Sequence, residues 1–287
     1  MRFHHLFLLV FFFISACNSN NSYRNIVHIK GDSLKADSIK LCGTNENADS
    51  IYKRKMLGFA LDYANKNKDK DSFLYNSEQL TIDSGKLSIE YGHLFDKQNK
   101  HLIIRIPPID TPYVHLDEPI NIFLFALRDN HFVLLCRPDD STDNNMGEYQ
   151  GDTLRDINGD GYKDFVVNWY SGCGCCPRGD SYIYFYNPDN GSVTESVELL
   201  NATFLPGMKL VYLMDYGYPG RIELYKCKWS GLKLDTLESV SADTSHKGRF
   251  FVENEVTGKI KTVIGLPKEY LCIDKSELEW FLNAWDK

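Results

Sequence analysis

Hydrophobic and polar positions alternate with two different periods along the chain. Between Asp49 and Asn67 the apolar residues Tyr52, Met56, Phe59, Ala60 and Tyr63 recur at helical spacing, with Asp49 or Ser50 placed as cap. This predicts a helix, and the alternating charges of Lys66 to Asp71 predict an end that frays into solvent. From about Phe73 the period becomes two. Leu87, Ile89 and Tyr91 alternate with Ser88 and Glu90, and His101 to Ile106 forms a second run stopped by Pro107-Pro108. Asn121 to Leu127 and His131 to Cys136 flank Asp129-Asn130 as a hairpin.

Further along, Tyr182, Tyr184 and Tyr186 fall on one face of a strand and Ile183 and Phe185 on the other, ahead of a Pro188-Asp189-Asn190-Gly191 turn. Val193 to Leu199 and Lys209 to Met214 follow, then a Gly217 to Gly220 corner. Arg221 to Trp229 and Leu232 to Val240 form a hairpin about Ser230-Gly231. A last helix is expected near the end, with Ser276 as cap and Leu278, Phe281, Leu282 and Trp285 as its buried stripe. No strand–helix alternation occurs between residues 73 and 265, which excludes a doubly wound parallel sheet. The expected class is mainly β: an antiparallel meander closed as a sandwich, barrel or propeller-like ring, with an N-terminal helix and a short C-terminal helix.

One polar stretch interrupts this pattern. Asp156, Asn158, Asp160 and Asp164 stand at positions 1, 3, 5 and 9 of a loop, with Gly161 at position 6. Alternate side chains of such a bend aim oxygens inward, and the glycine allows Tyr162 to present its carbonyl. These five residues are the candidate ligands of a calcium ion. An EF-hand is excluded: position 12 is Val167, and the following residues (Phe165 to Tyr170) read as a strand. A loop closed by an aspartate and running into a strand resembles the calcium loops of FG-GAP repeats. The motif occurs once, whereas a propeller of calcium-loop blades repeats it at a fixed period.

Composition narrows the setting. The 287 residues are 43% hydrophobic, with a net charge of −7 and no basic block, so nucleic acid has no electrostatic foothold. Arg2, the apolar run Leu6 to Ile14 and the ending Ser15-Ala16-Cys17 read as an export signal, too short for an ordinary membrane span. Ile14-Ser15-Ala16-Cys17 resembles a bacterial lipobox, which makes Cys17 the lipidated residue and the membrane a partner through that lipid. Residues 1–16 are then a signal peptide, 17–48 an anchor and polar tether, 49–72 a helical segment and 73–287 an all-β calcium-loop domain. No acidic run follows Cys17, so the expected location is the outer membrane, facing the periplasm. Seven other cysteines remain, an odd number.

The loop, together with Tyr182 to Gly191, Asn201-Ala202-Thr203-Phe204 and Tyr225 to Leu232, resembles bacterial envelope proteins related to the periplasmic inhibitors of I-type lysozyme. That group includes immunity lipoproteins that neutralise cell-wall-cutting toxins. The resemblance covers roughly residues 85 to 245 and implies an all-β fold, a calcium loop and a secreted cell-wall hydrolase as partner, with no catalytic role. An adhesion or envelope-assembly module is the alternative. The Cys-Gly-Cys-Cys stretch departs from the group; Ser171, Cys173, Cys175, Cys176 and Arg178 within it form a candidate binding loop, or a stapled turn. Gly31-Asp32-Ser33-Leu34 with Asp243 and His246 resembles the blocks of GDSL esterases, but the α/β/α organisation they need is missing. Asp37-Ser38-Ile39, Asp49-Ser50-Ile51 and Asp235-Thr236-Leu237 resemble bacterial O-glycosylation triplets.

Overall fold

The computed structural model describes residues 48–77, 86–108, 120–138, 147–171, 176 and 179–285. Helix α1 (Ala48–Asn67) opens this part of the chain. Sheet one is a meander of β1 (Phe73–Asn76), β2 (Ser88–Gly92), β3 (His101–Ile106), β4 (Asn121–Arg128) and β5 (His131–Cys136), paired in that order. Both Asp129 and Asn130 have positive φ, 47° and 67°, as a two-residue hairpin turn of type I′ requires. Sheet two contains β6 (Gly147–Arg155), β7 (Asp164–Ser171) and β8 (Gly179–Tyr184). After the short pair β9 (Tyr186–Asn187) and β10 (Ser192–Val193), β11 (Val197–Leu200) returns to its far edge, giving the order β11-β8-β7-β6. Sheet three is a second meander: β12 (Thr203–Leu205), β13 (Leu210–Met214), β14 (Glu223–Ser230), β15 (Lys233–Ala242), β16 (Arg249–Asn254) and β17 (Lys259–Ile264). Helix α2 (Lys275–Leu282) follows.

Every described ladder is antiparallel. The sheets stack with the helices outside, and the side-chain period of two sorts successive residues into different cores. Leu102, Ile104, Phe123 and Phe125 pack with Ala60 and Ala64 of α1. Their neighbours Ile103, Ile122 and Leu124 meet Phe165, Val167, Trp169, Tyr182 and Tyr184 of sheet two and Tyr186 at the start of β9. On the opposite face of sheet two, Val166, Ile183, Phe185 and Leu199 meet Val211, Cys227 and Trp229 of sheet three. The far face of sheet three carries Tyr212, Leu224, Val240, Phe250 and Val252, which enclose Leu278 and Phe281 of α2. Sheets one and two are thus buried on both faces over much of their length, which explains the unbroken apolar runs Ile122 to Leu127 and Phe165 to Val167. Among the described residues no barrel closes, and the sandwich arrangement is the one the sheets take.

Details differ from the sequence reading at the helices. The stripe of α1 is centred on Ala60 and Ala64, both fully buried, while Phe59 is 45% exposed. Close approach of the helix to sheet one favours the small residues on its inner face. The cap of α2 is Asp274, whose carboxylate accepts from the Ser276 backbone N–H at 2.8 Å, so Ser276 is capped rather than capping. Leu282 is exposed, and Trp285 is half-buried, donating from Nε1 to the Asp243 carbonyl at 2.7 Å.

An ion pair ties sheets one and two. Arg105 on β3 donates to both oxygens of Asp152 on β6, at 2.7 and 2.5 Å, and also reaches Glu90 at 3.1 Å; Tyr149 donates its hydroxyl to the same Asp152. The side chains of Arg105 and Asp152 are 14% and 4% exposed. Removing one partner from such a pair strands a buried charge, whereas removing both does not. Asp152→Ala is therefore expected to cost about 3–5 kcal/mol in urea unfolding, and Arg105→Met with Asp152→Leu to restore most of it. Equal losses in the single and double variants would show that the pair does not hold the sheets together.

Candidate metal centre

The loop between β6 and β7 folds on its own main chain. The Asp156 carboxylate accepts from the N–H groups of Gly159, Asp160 and Gly161, at 2.6, 3.2 and 2.9 Å. Asn158 accepts from the Asp160 N–H at 3.1 Å and donates to the Asp160 carboxylate at 3.0 Å; Asp160 accepts from the Tyr162 N–H at 2.9 Å. Gly161 has φ +94° and Gly159 φ +73°, conformations that an L side chain rarely adopts. Gly159 is doubly constrained, since a Cβ there would lie 2.8 Å from both Lys209 Cγ and the Pro206 carbonyl.

Asp164 fastens the loop to the sandwich. It is fully buried and accepts from the Ile157 N–H at 2.9 Å and from the Tyr186 N–H at 3.1 Å. One carboxylate thus joins the start of the loop, its own strand β7 and the first residue of β9. Burial pushes the Asp164 carboxyl up to about 7, against the two N–H groups that pull it down. Asp156 and Asp160 add negative charge nearby, and among the described residues no lysine or arginine pairs with Asp164.

The spacing of Asp156, Asn158, Asp160 and Asp164 therefore does produce one connected, oxygen-rich bend. Asp160 and Tyr162 lie at the surface, Asn158 and Asp164 inside. Among the described residues, no three acidic, histidine or cysteine side chains converge as a cage; the oxygens are turned onto the loop's N–H groups. An ionised carboxylate has about four lone-pair sites, so these hydrogen bonds leave acceptor capacity on each aspartate. Hard oxygen donors and a buried carboxylate without a counter-ion fit a hard divalent cation in kind.

A cavity of about 230 Å³ opens beside the bend, lined by Asn158, Asp160, Phe185, Thr194, Lys209 and Leu232 among others. Sequence reasoning gave no role to Lys209. It follows a 3-10 turn at Pro206–Met208, has φ 55°, and is held by its N–H on Pro206 (2.9 Å) and by its carbonyl on the Trp229 N–H (2.8 Å). The Pro206-Gly207 dipeptide was the available turn signal.

The other candidate residues are not part of this centre. Cys17, Cys173, Cys175 and Arg178 lie outside the described residues, as do Ser33, Ser38 and the whole export segment. Ser171 ends β7, and Cys176 is buried. Asp243 does meet His246, at 3.1 Å, but it also binds the Arg249 side chain and the Ser245 N–H, so it braces the turn between β15 and β16. Of the other triplets, Ser50 is half-buried in α1 and Thr236 is exposed on β15.

No family model and no curated protein matches the chain. Among solved structures it is similar to a Xanthomonas protein described as related to the type IV secretion system, at 14% identity, over 68% of this chain and 99% of that one, with a TM-score of 0.32. Nothing about function follows from a likeness so remote.

Beneath the centre lies a buried histidine. His101 is 0% exposed, wedged edge-on against Phe95 and Tyr186, and among the described residues neither ring nitrogen has a well-formed hydrogen-bond partner. Burial pushes its pKa down to about 4; the charges that face it are Asp96, which opposes the shift, and His93 and Arg128, which add to it. A histidine with a lowered folded pKa stabilises the protein above the unfolded value and loses that contribution as pH falls toward the folded one. Between pH 7 and pH 4.5 this loss is expected to reach about 2–3 kcal/mol. His101→Phe should reduce the acid sensitivity of the urea midpoint by that amount, and an unchanged pH profile would exclude the effect.

Proposed function

We propose that the chain is a non-catalytic, lipid-anchored protein of the bacterial envelope, in which a calcium ion held at Asp156, Asn158, Asp160, Tyr162 and Asp164 sets the shape of a binding surface. Asp164 is the observation that supports this most. A buried carboxylate with no lysine or arginine beside it among the described residues, and with the negative charge of Asp156 and Asp160 acting on it, is relieved by a divalent cation. The same carboxylate fixes the corner from which β9 starts. The ion's work is structural: it neutralises the bend and stiffens one wall of the adjoining cavity.

The partner proposed first is a secreted cell-wall hydrolase, bound and inhibited in the manner of the envelope proteins that the chain resembles. Mixing the purified protein with lysozyme-type muramidases and following wall lysis by turbidity tests this: slower lysis is expected, and unchanged lysis with every enzyme of the class would reject it. The cavity beside the loop favours a second reading, an adhesion or envelope-assembly module that grips a small protruding group. Retention of an envelope glycan or protein on the immobilised chain, with no effect on lysis, would favour that reading.

The metal is tested separately. Exported calcium modules commonly bind at about 0.1–1 mM. Calcium at ten times its dissociation constant would add about 1.4 kcal/mol by mass action. For a chain of this size that corresponds to a rise of roughly 3–6 °C in melting temperature. The rise should vanish with chelator and be absent from Asp160→Ala at any calcium level. Identical melts with and without calcium in the unaltered chain would rule out a stabilising ion.

A further inference from the structure

The cavity beside the loop is lined by two kinds of surface. One is apolar, from Phe185, which is buried, and Leu232 of the β14–β15 turn, which is 40% exposed. The other is polar, from Asn158 and Asp160 of the loop and from Lys209. Asn158 is 3% exposed, and its side-chain nitrogen carries two hydrogens, of which the bond to Asp160 uses one. A buried amide hydrogen left over at a cavity wall calls for an acceptor inside the cavity. Each carboxylate oxygen of Asp160 accepts one hydrogen bond, from the Tyr162 N–H or from Asn158, and keeps a lone pair for a second. The stem of Lys209 lies over Gly159, and among the described residues no carboxylate pairs with its ammonium.

These groups suit a ligand that donates and accepts hydrogen bonds side by side. A ligand with a single charge of either sign meets one like charge, that of Asp160 or of Lys209. A zwitterion balances both, but must desolvate two ions to do so. A neutral polyhydroxyl ring avoids that cost: one hydroxyl donates to the carboxylate, and its neighbour accepts from the ammonium or the Asn158 amide. The faces of such a ring are C–H groups, which Phe185 and Leu232 can cover. Size points the same way. Pockets for drug-sized ligands hold about 300–1,000 Å³. The cavity here, about 230 Å³, has room for one ring and not for a chain of them. We infer that it takes a single neutral hexose at the end of an envelope glycan. This rests on the second reading above, the adhesion or assembly module, and names the group that the module grips.

The test is saturation-transfer NMR on the purified full chain with calcium present, using free glucose, galactose and mannose as probes. At least one of the three should bind, with a dissociation constant on the order of 1–10 mM for so small a ligand. Glucuronate, glucosamine and alanine, which carry a negative charge, a positive charge and both, should each bind about fivefold or more weakly than that hexose. Leu232→Asn, at an exposed turn where the melt should not change, removes apolar cover and is expected to weaken the hexose about fivefold. Lys209→Met keeps the stem and removes the charge. It should weaken the hexose as well, yet move glucosamine ahead of it, because Asp160 then attracts an ammonium unopposed; loss of structure would not produce that reversal. No transfer to any hexose, charged analogues or alanine binding as tightly as the neutral rings, or a hexose indifferent to both variants would each overturn the assignment. Such a failure leaves the adhesion reading standing if the immobilised chain still retains an envelope glycan or protein. If nothing is retained, that reading falls with it.

Discussion

The bend at residues 156–164 depends on one buried carboxylate. Asp164 accepts hydrogen bonds from the main chain on both sides of a corner, from Ile157 at the entry to the loop and from Tyr186 at the start of β9. A neutral side chain of similar shape could meet one of these donors with an acceptor, but not both with equal strength, since hydrogen bonds to an ionised oxygen are the stronger. The charge that makes the bonds strong is also costly to bury. The remaining loop side chains are arranged around that conflict: Asp156 and Asp160 cap main-chain donors, and by their position also increase the negative potential at Asp164. A bend of this kind is stable with a proton or a cation in place and strained without either.

The sandwich gives the corner its rigidity. Tyr186 is held from below by Phe95, stacked at 5.1 Å, and through its hydroxyl by Asp96 at 2.5 Å. Lys163 in the loop donates its N–H to the Phe95 carbonyl at 3.1 Å. Sheet one therefore supports the loop through the segment that precedes β3, while sheet three supports it from the other side through Lys209 and Pro206. The loop stands where three sheets meet, and its conformation is determined by contacts with all of them.

The strands that were legible in the sequence are those whose two faces differ or are both buried. Leu87, Ile89 and Tyr91 alternate clearly because one face of β2 packs on α1. The tyrosine row of β8 and β9 was legible because Tyr182, Tyr184 and Tyr186 share one core and Ile183 and Phe185 the other. Strands β16 and β17 were not picked out. The alternation of Lys259, Ile260, Lys261 and Thr262 does not mark a buried face, because an outer strand exposed on both sides has none to mark. The helix stripe was legible at Tyr52, Met56, Ala60 and Tyr63, which meet the core on sheet one; Phe59 lies outside it and Ala64 was missed, because large aromatic residues dominate a sequence pattern whereas the centre of the contact receives small side chains. At the bend, ligand spacing revealed the four polar side chains but not their attachment to Tyr186. That attachment runs through a main-chain N–H, which no side-chain pattern records.

The exposed outer strand and the corner at Asp164 share an origin in the unequal widths of the sheets. Sheet two has four strands and sheet three six, so the inner face of sheet three extends past its cover. At one margin the β14–β15 turn, with Gly231 and Leu232, overhangs the loop and closes the cavity beside Asp160. At the other margin the surplus strands continue past the cover, ending in β17, where Ile260 is 63% and Ile264 94% exposed. Matching the sheets strand for strand would have removed both features at once. A layered sandwich with unequal sheets has one sheltered margin, where a cavity forms beside the loop, and one exposed margin, whose outer main-chain groups are left to solvent.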